Sequence, residues 1–268
     1  MKIGFIGAGN MACALGGGLA GQADTASWEL LAADPAQEAL DRFVEATGGR
    51  GLPDLETLAS RADVLVLAVK PQVVQEVLSA LRPHAGQQHL LVSIVAGATV
   101  RSLSRGLDGD LRIVRAMPNT PALVGQGMTV LVGGAGASPE DVSLAEEIFT
   151  GVGQAVVVED EALLDPVTAV SGSGPAFVFA YAEALLEAAE AVGLPEKLAA
   201  QLVQQTVVGA GVLWRESGEE VHELRRRITS PGGTTQAGLE ALAARDLGET
   251  VNAAIEAATK RSRELEAN

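Results

Sequence analysis

Gly7, Gly9 and Ala12 stand in the order G-x-G-x-x-A inside the stretch IGFIGAGNMA, residues 3 to 12. That spacing suits one task. The first glycine permits a tight turn and the second lets a pyrophosphate approach the backbone. The small third residue lets a helix pack closely on a strand, with the helix N-terminus facing the anion. Ile6, Gly7, Ala8, Gly9, Asn10 and Met11 are therefore candidate dinucleotide-binding residues. Asp34 follows at the end of the next apolar run, where an acid accepts hydrogen bonds from a ribose hydroxyl and repels a 2′-phosphate. Asp34-Pro35 also reads as a helix cap, and the two roles are compatible.

A second group lies far along the chain. The stretch ITSPGGTTQAG, residues 228 to 238, follows Arg225, Arg226 and Arg227 and runs into a helical pattern from Gln236 to Ala243. Glycines and hydroxyls at a helix start present unpaired backbone N–H groups, which form an anion site without a charged side chain. The alternative is an ordinary helix cap. Acid–base groups are scarce. His84 sits in a turn, His89 begins a strand, and His222 lies on a charged helix. An enzyme that oxidises an alcohol needs a general acid–base for the hydroxyl proton, and a protonated imine does not. The three arginines read as a solvated helix face, with added positive charge near a cofactor as the alternative.

The elements that must position these groups are legible as short apolar runs. Strands are predicted at Lys2–Ile6, Trp28–Ala33, Asp63–Val69, His89–Val95, Arg112–Met117, Met128–Val132 and Gln154–Val158. Helices are predicted at Asn10–Ala23 and Pro35–Thr47, with another opening at Ser138 as N-cap, Pro139 at the first position and an acid at the third. This alternation implies a mostly parallel, doubly wound α/β sheet of Rossmann type over residues 1–160. In such a sheet the strand C-termini line the ligand crevice. LAVKPQ (67–72), VAGAT (95–99) and RAMPNTPALVGQG (115–127) then bring Ala68, Val69, Lys70, Pro71, Ala96, Gly97 and Asn119 to the cofactor. Beyond residue 160 strand patterns cease, and residues 161–268 read as an all-helical domain. Its helix Pro175–Ala191 is apolar except for a stripe of Glu183, Glu187 and Glu190, which predicts an intermolecular interface. Helices at Pro195–Ser217 and Gly248–Glu266 complete it.

Composition narrows the partners. The 268 residues are 47% hydrophobic and 20% charged, as in a globular chain, and the net charge of −15 argues against nucleic acid and anionic membrane surfaces. One cysteine, Cys13, excludes an internal disulfide and a thiolate metal site and fits a reducing cytoplasm. The N-terminus superficially resembles a signal peptide, but Gly7, Gly9 and Asn10 interrupt the apolar run and no basic region precedes it. No uninterrupted apolar run of membrane-spanning length occurs.

GFIGAGNMA, AVKP, RAMPNTPALVGQGMT, AVSGSGPAFVF and TSPGGTTQAG together resemble the motif set of the pyrroline-5-carboxylate reductases, in order and spacing. The resemblance implies hydride transfer from NADP(H) or NAD(H) to the C=N bond of 1-pyrroline-5-carboxylate, giving L-proline. It also implies interlocked dimers that can build rings. By that resemblance Thr235 hydrogen-bonds the ring nitrogen as the catalytic residue, and Gly233 and Thr234, beside Ser230, hold the carboxylate. Ser171, in Ser171–Ala176, belongs to a second small-residue turn at a helix start, and Glu161 lies near the substrate. Two positions depart from the family pattern. Asp34 stands where members often carry serine, threonine or asparagine, and Leu55 where many carry a cofactor-contacting asparagine. Both set a preference for NADPH in question. The alternatives are a hydroxy-acid dehydrogenase of the same plan or a non-catalytic nucleotide-binding protein. The first expects a lysine on Pro175–Ala191, which has none, and the second has no use for Ser230–Thr235.

Overall fold

The computed structural model describes residues 1–22, 27–107, 111–134 and 136–266. They divide into two compact units, Met1–Ser173 joined by the segment from Ala258 onward, and Gly174–Ala257. The division expected at 160/161 thus falls inside the first unit.

The first unit is built on eight strands: β1 (Lys2–Ile6), β2 (Glu29–Ala33), β3 (Arg50–Leu52), β4 (Val64–Leu67), β5 (Leu90–Ser93), β6 (Arg112–Met117), β7 (Gly127–Gly133) and β8 (Gly153–Val157). Their order in the sheet is β3-β2-β1-β4-β5-β6-β7-β8. All neighbours pair in parallel except β6 and β7. The first six reproduce the 3-2-1-4-5-6 order of a doubly wound nucleotide-binding sheet.

Strand residues alternate between two apolar layers, as a period of two requires. Ile3, Phe5, Leu30, Ala32, Val64 and Val66 face one side. There they meet α1 (Asn10–Ala20), α2 (Gln37–Thr47) and α6 (Pro139–Thr150) through residues such as Leu15, Phe43 and Phe149. Phe5 and Phe43 pack with ring centroids 5.3 Å apart. Ile6, Leu31, Leu65 and Leu67 face the other side. They pack on α3 (Leu55–Ala59), α4 (Val74–Leu81) and α5 (Val100–Gly106) through Leu58, Leu78 and Leu103.

Several boundaries differ from expectation. The predicted end of α1 at Ala23 lies outside the described residues; the helix runs to Ala20. The helix expected from Pro35 starts at Gln37, with Ala36 as an N-cap that receives no side-chain bond. Asp34 does not cap it, because its Oδ1 accepts from Ala36 N at 2.8 Å in the turn before the helix. The cap at Ser138 is present in full: its Oγ accepts from Asp141 N, and Asp141 Oδ2 accepts from Ser138 N.

The chain is helical from Glu161 to Ala191, through α7 (Leu164–Val167) and a wide π-turn over Thr168–Gly172 into α8 (Gly174–Ala191). This run is long and apolar enough, by length and composition, to cross a membrane. Its α7 portion belongs to the α/β unit, with Leu164 wholly buried.

The second unit contains α8, α9 (Glu196–Ser217), α10 (Val221–Arg227), α11 (Thr234–Ala243) and the first half of α12 (Leu247–Glu266). Among its described residues only Ala199 and Val203, on α9, are buried. Phe179, Tyr181 and Trp214 are each more than half exposed.

Candidate active site

The turn after β1 has the geometry the glycine spacing implies. Gly7 has φ +94°, and a Cβ there would lie 2.7 Å from the Ala68 carbonyl oxygen at the end of β4, so only glycine fits. Gly9 is the N-cap of α1 with no side-chain cap, and a Cβ on it would meet open space. The first amides of α1, from Asn10 onward, have no intrahelical acceptor and face that space as anion donors. Ile6, Ala8 and Ala12 are buried beneath the turn. Cys13, one residue further into α1, is partly buried, which pushes its thiol above the ordinary value; the Arg42 charge opposes this only in part.

Asp34 reaches back to this turn. Its Oδ2 accepts from Ala8 N at 2.9 Å, so β2 and the phosphate turn are locked together. Beside it lies a cavity of about 490 Å³ bordered by Gly7, Asp34, Asp54, Leu55, Glu56, Val69 and His84, among others. Hydrogen bonds from Thr57 hold the Asp54 carboxyl below its usual range, its Oδ1 accepting from Thr57 N at 2.7 Å. No lysine or arginine is among the residues lining this cavity. His84 lies in a turn, as its sequence context implies, and from there, just after α4, it lines this cavity. His89 is structural as expected. It is buried, with Nε2 2.9 Å from Ala59 O and Nδ1 accepting from Gly86 N.

The other crevice candidates sit at the C-terminal ends of their strands. Ala68 and Val69 follow β4 against Gly7, and Lys70 and Pro71 open an exposed single turn of 3₁₀ helix. Ala96 and Gly97 follow β5, with Gly97 at φ +78°. Asn119 bonds protein through both ends of its amide. Its Nδ2 donates to Ser171 O at 3.1 Å and to Ser171 Oγ at 3.2 Å, while Oδ1 accepts from Met128 N at 2.9 Å. Ser171 lies in the π-turn, closed by Ser173 N donating to Thr168 O at 2.8 Å. The small-residue motif therefore straddles a widened turn and the first residues of α8, instead of a free helix start. Such π-turns recur at functional sites. Glu161 is engaged as well: its Oε1 accepts from Val100 N at 2.8 Å and from Arg115 Nη1 at 2.9 Å.

In the helical unit, Ser230 and Gly232 (φ +70°) make a turn in which Gly233 N donates to Ser230 O at 3.0 Å. Gly233 is the N-cap of α11, and no side chain caps it. Thr234 and Thr235 thus occupy the first turn, where backbone amides lack intrahelical acceptors. Of the three arginines before it, Arg226 pairs with Glu223 and Arg227 with Glu219, as a solvated helix face requires.

Comparison with known proteins agrees in both halves. Residues 161–265 match the family model of pyrroline-5-carboxylate reductase dimerisation, and residues 2–97 match that of NADP oxidoreductase, coenzyme F420-dependent. The chain is 42% identical to a pyrroline-5-carboxylate reductase of Pseudomonas aeruginosa, covering 98% of this chain and 96% of that one. A solved pyrroline-5-carboxylate reductase from Coxiella burnetii superposes with a TM-score of 0.89 at 37% identity, covering 98% of this chain and 97% of the other. The Plasmodium falciparum enzyme, solved with NADP bound, gives 0.86 at 32% identity over 99% and 98%. By whole-length sequence likeness and by fold, the chain belongs to the pyrroline-5-carboxylate reductase family.

Proposed function

We propose that this protein reduces 1-pyrroline-5-carboxylate to L-proline. NAD(P)H gives a hydride to the C=N carbon, and the ring nitrogen ends as the secondary amine. The observation that carries this reading is the likeness over the whole chain to proteins named pyrroline-5-carboxylate reductase. The geometry is consistent with it. The phosphate turn at Gly7–Met11 suits a dinucleotide. The uncapped start of α11 suits a small carboxylate, held by the amides of Gly233 and Thr234 beside Ser230. Thr235, in the same motif, takes the role of hydrogen-bonding the ring nitrogen in this reading.

Glu161 and Ser171 act in this reading beside the substrate, and Ala96, Gly97, Lys70 and Asn119 beside the cofactor. The exposed apolar faces of α8 and α9 are covered by a second copy, and pairs of copies can assemble further into a ring. The single cysteine suits a reducing compartment such as the cytoplasm. The test is loss of reduced-nicotinamide absorbance when synthetic pyrroline-5-carboxylate is added, with NADH and NADPH in parallel. Turnover with the imine and none with 2-keto acids is expected. Equal or better turnover of a keto acid overturns the reading in favour of a hydroxy-acid dehydrogenase.

A further inference from the structure

One charged cluster in the α/β unit contains two members, Arg115 and Glu266, with no place in the reaction as outlined. Arg115 is the fourth residue of β6, and its side chain is only 3% exposed. Its Nη1 lies 2.9 Å from Glu161 Oε1 and 2.8 Å from Glu266 Oε1. That nitrogen donates a hydrogen bond to Glu161 and forms an ion pair with Glu266. Glu161 Oε1 also accepts from Val100 N, at the start of α5. Two neighbours of Glu266 add to the attachment. A Cβ built on Gly97 would be 3.2 Å from both the Cβ and the carbonyl oxygen of Leu265, so the end of α12 rests on that glycine. Arg263 Nε is 3.7 Å from Asp165 Oδ2 on α7.

These contacts converge on residues 95–100, the loop that leaves the C-terminal end of β5. It is held at two points, by Glu161 at Val100 and by Leu265 at Gly97, and Arg115 ties together the acid at the first point and the neighbour of the residue at the second. A buried ion pair is poor evidence of stabilisation, because desolvation offsets much of the attraction. Its better-attested use is to specify one arrangement among several.

We propose that Arg115 is a positioning residue for cofactor binding. Through Glu161 and Glu266 it holds loop 95–100 in the shape that receives a nicotinamide dinucleotide. The proposal rests on the reading of Ala96 and Gly97 as cofactor contacts. It makes the last turn of α12 part of the dinucleotide site's scaffold.

The experiment uses Glu266→Ala, which removes one strut near the chain end and leaves the β6 core intact. A loop competent only a tenth to a fifth of the time weakens apparent affinity by about five- to tenfold. The dissociation constants of NADH and NADPH, measured by calorimetry, should therefore rise together by that factor. KM for the imine should stay unchanged and kcat should stay within twofold. Amide hydrogen exchange at residues 96–101 should quicken in the free protein and slow again with saturating cofactor. Glu266→Gln, which keeps an acceptor for Arg115, should recover most of the affinity. Arg115→Lys, which keeps the charge on a shorter and differently shaped donor, should show the same loss as Glu266→Ala. A folded Glu266→Ala protein with wild-type dinucleotide affinity and unchanged exchange at 96–101 overturns the proposal, even if its melting temperature falls. Wild-type protein that binds neither dinucleotide overturns the underlying functional reading and the proposal with it, which separates the two failures.

Discussion

Each oxygen of Asp34 already accepts one backbone amide, from Ala8 and from Ala36. A carboxylate oxygen can accept a second bond, so a ribose hydroxyl still has a partner there. If the ribose lies there, a 2′-phosphate finds only acids, since Asp34, Asp54 and Glu56 border the same cavity and none of its lining residues is a lysine or arginine. Allowing for relaxation and salt, the like-charge penalty is on the order of 1–2 kcal/mol, or about tenfold in relative efficiency. Asp34→Ser should raise the ratio of NADPH to NADH kcat/KM, more so at low salt, and an unmoved ratio would assign Asp34 to the turn alone. Thr235→Ala should lower kcat/KM for the imine by about ten- to a hundredfold, since loss of one hydrogen bond to the reacting nitrogen costs roughly 1–3 kcal/mol. Cofactor affinity should stay near wild type, and an unaffected kcat/KM would reduce Thr235 to a helix-start residue. At this scale the sequence was readable where backbone geometry dictates residue type. Gly7 must be glycine because of the Ala68 carbonyl, and the spacing announces it. Arg115, Glu266 and His84 were not readable, because nothing local marks a partner dozens or hundreds of residues away.

β1, β2, β4 and β5 were legible as continuous apolar runs because they are buried on both faces, whereas β8 has no buried residue. β3, Arg-Gly-Leu, carries no such pattern and owes its pairing to the edge of β2. α4 does repeat Val74, Val77, Leu78 and Leu81 at helical spacing, yet the helix is short and its pattern runs straight on from the loop after Lys70. The N-terminus of α6 was legible from Ser138-Pro139 alone, but its strongest partner was not. Asp141 is 5% exposed, closes the capping box, and accepts from Arg112 Nη1 at 2.6 Å. Arg112 in turn donates to the carbonyls of Gln87 and Gln88, joining the start of β5 to α6. Loss of a cap costs about 1 kcal/mol, and loss of a charge-assisted bond adds a similar amount at a partner that is one-third exposed. Asp141→Ala should therefore destabilise by about 2 kcal/mol, and Ser138→Ala by about 1, in thermal denaturation at fixed protein concentration. Equal losses for the two variants would show that the Arg112 contact contributes nothing.

The molecule as a whole shows two very different kinds of unit. The α/β unit buries two apolar layers, whereas α8 has no buried residue and the helical unit buries little of its apolar surface. A unit in that condition gains too little apolar burial to offset its conformational entropy. A second copy of the same chain is the proposed cover. Light scattering at micromolar concentration should report a dimer or a multiple of dimers, with a melting temperature that rises with concentration. A monomer mass under those conditions would refute this. The apolar character of Pro175–Ala191 is what raises the expectation of an interface from sequence, and the structure leaves that helix with no buried residue. The return of the last residues to the α/β unit was not legible, because it depends on contacts at Gly97, Arg115 and Asp165 that no local pattern reveals.

That return has a consequence for how the chain comes into being. The unit that opens at Met1 includes the segment from Ala258 onward. A ribosome adding about 5–20 residues per second needs roughly 10–50 s to span that distance. Throughout that time the nascent sheet can pair its strands, but the Arg115 guanidinium waits in its core position with one of its two acids not yet made. Vectorial synthesis thus leaves this unit unfinished until the residues around Glu266 are made, and their loss would damage a part of the protein translated well before them.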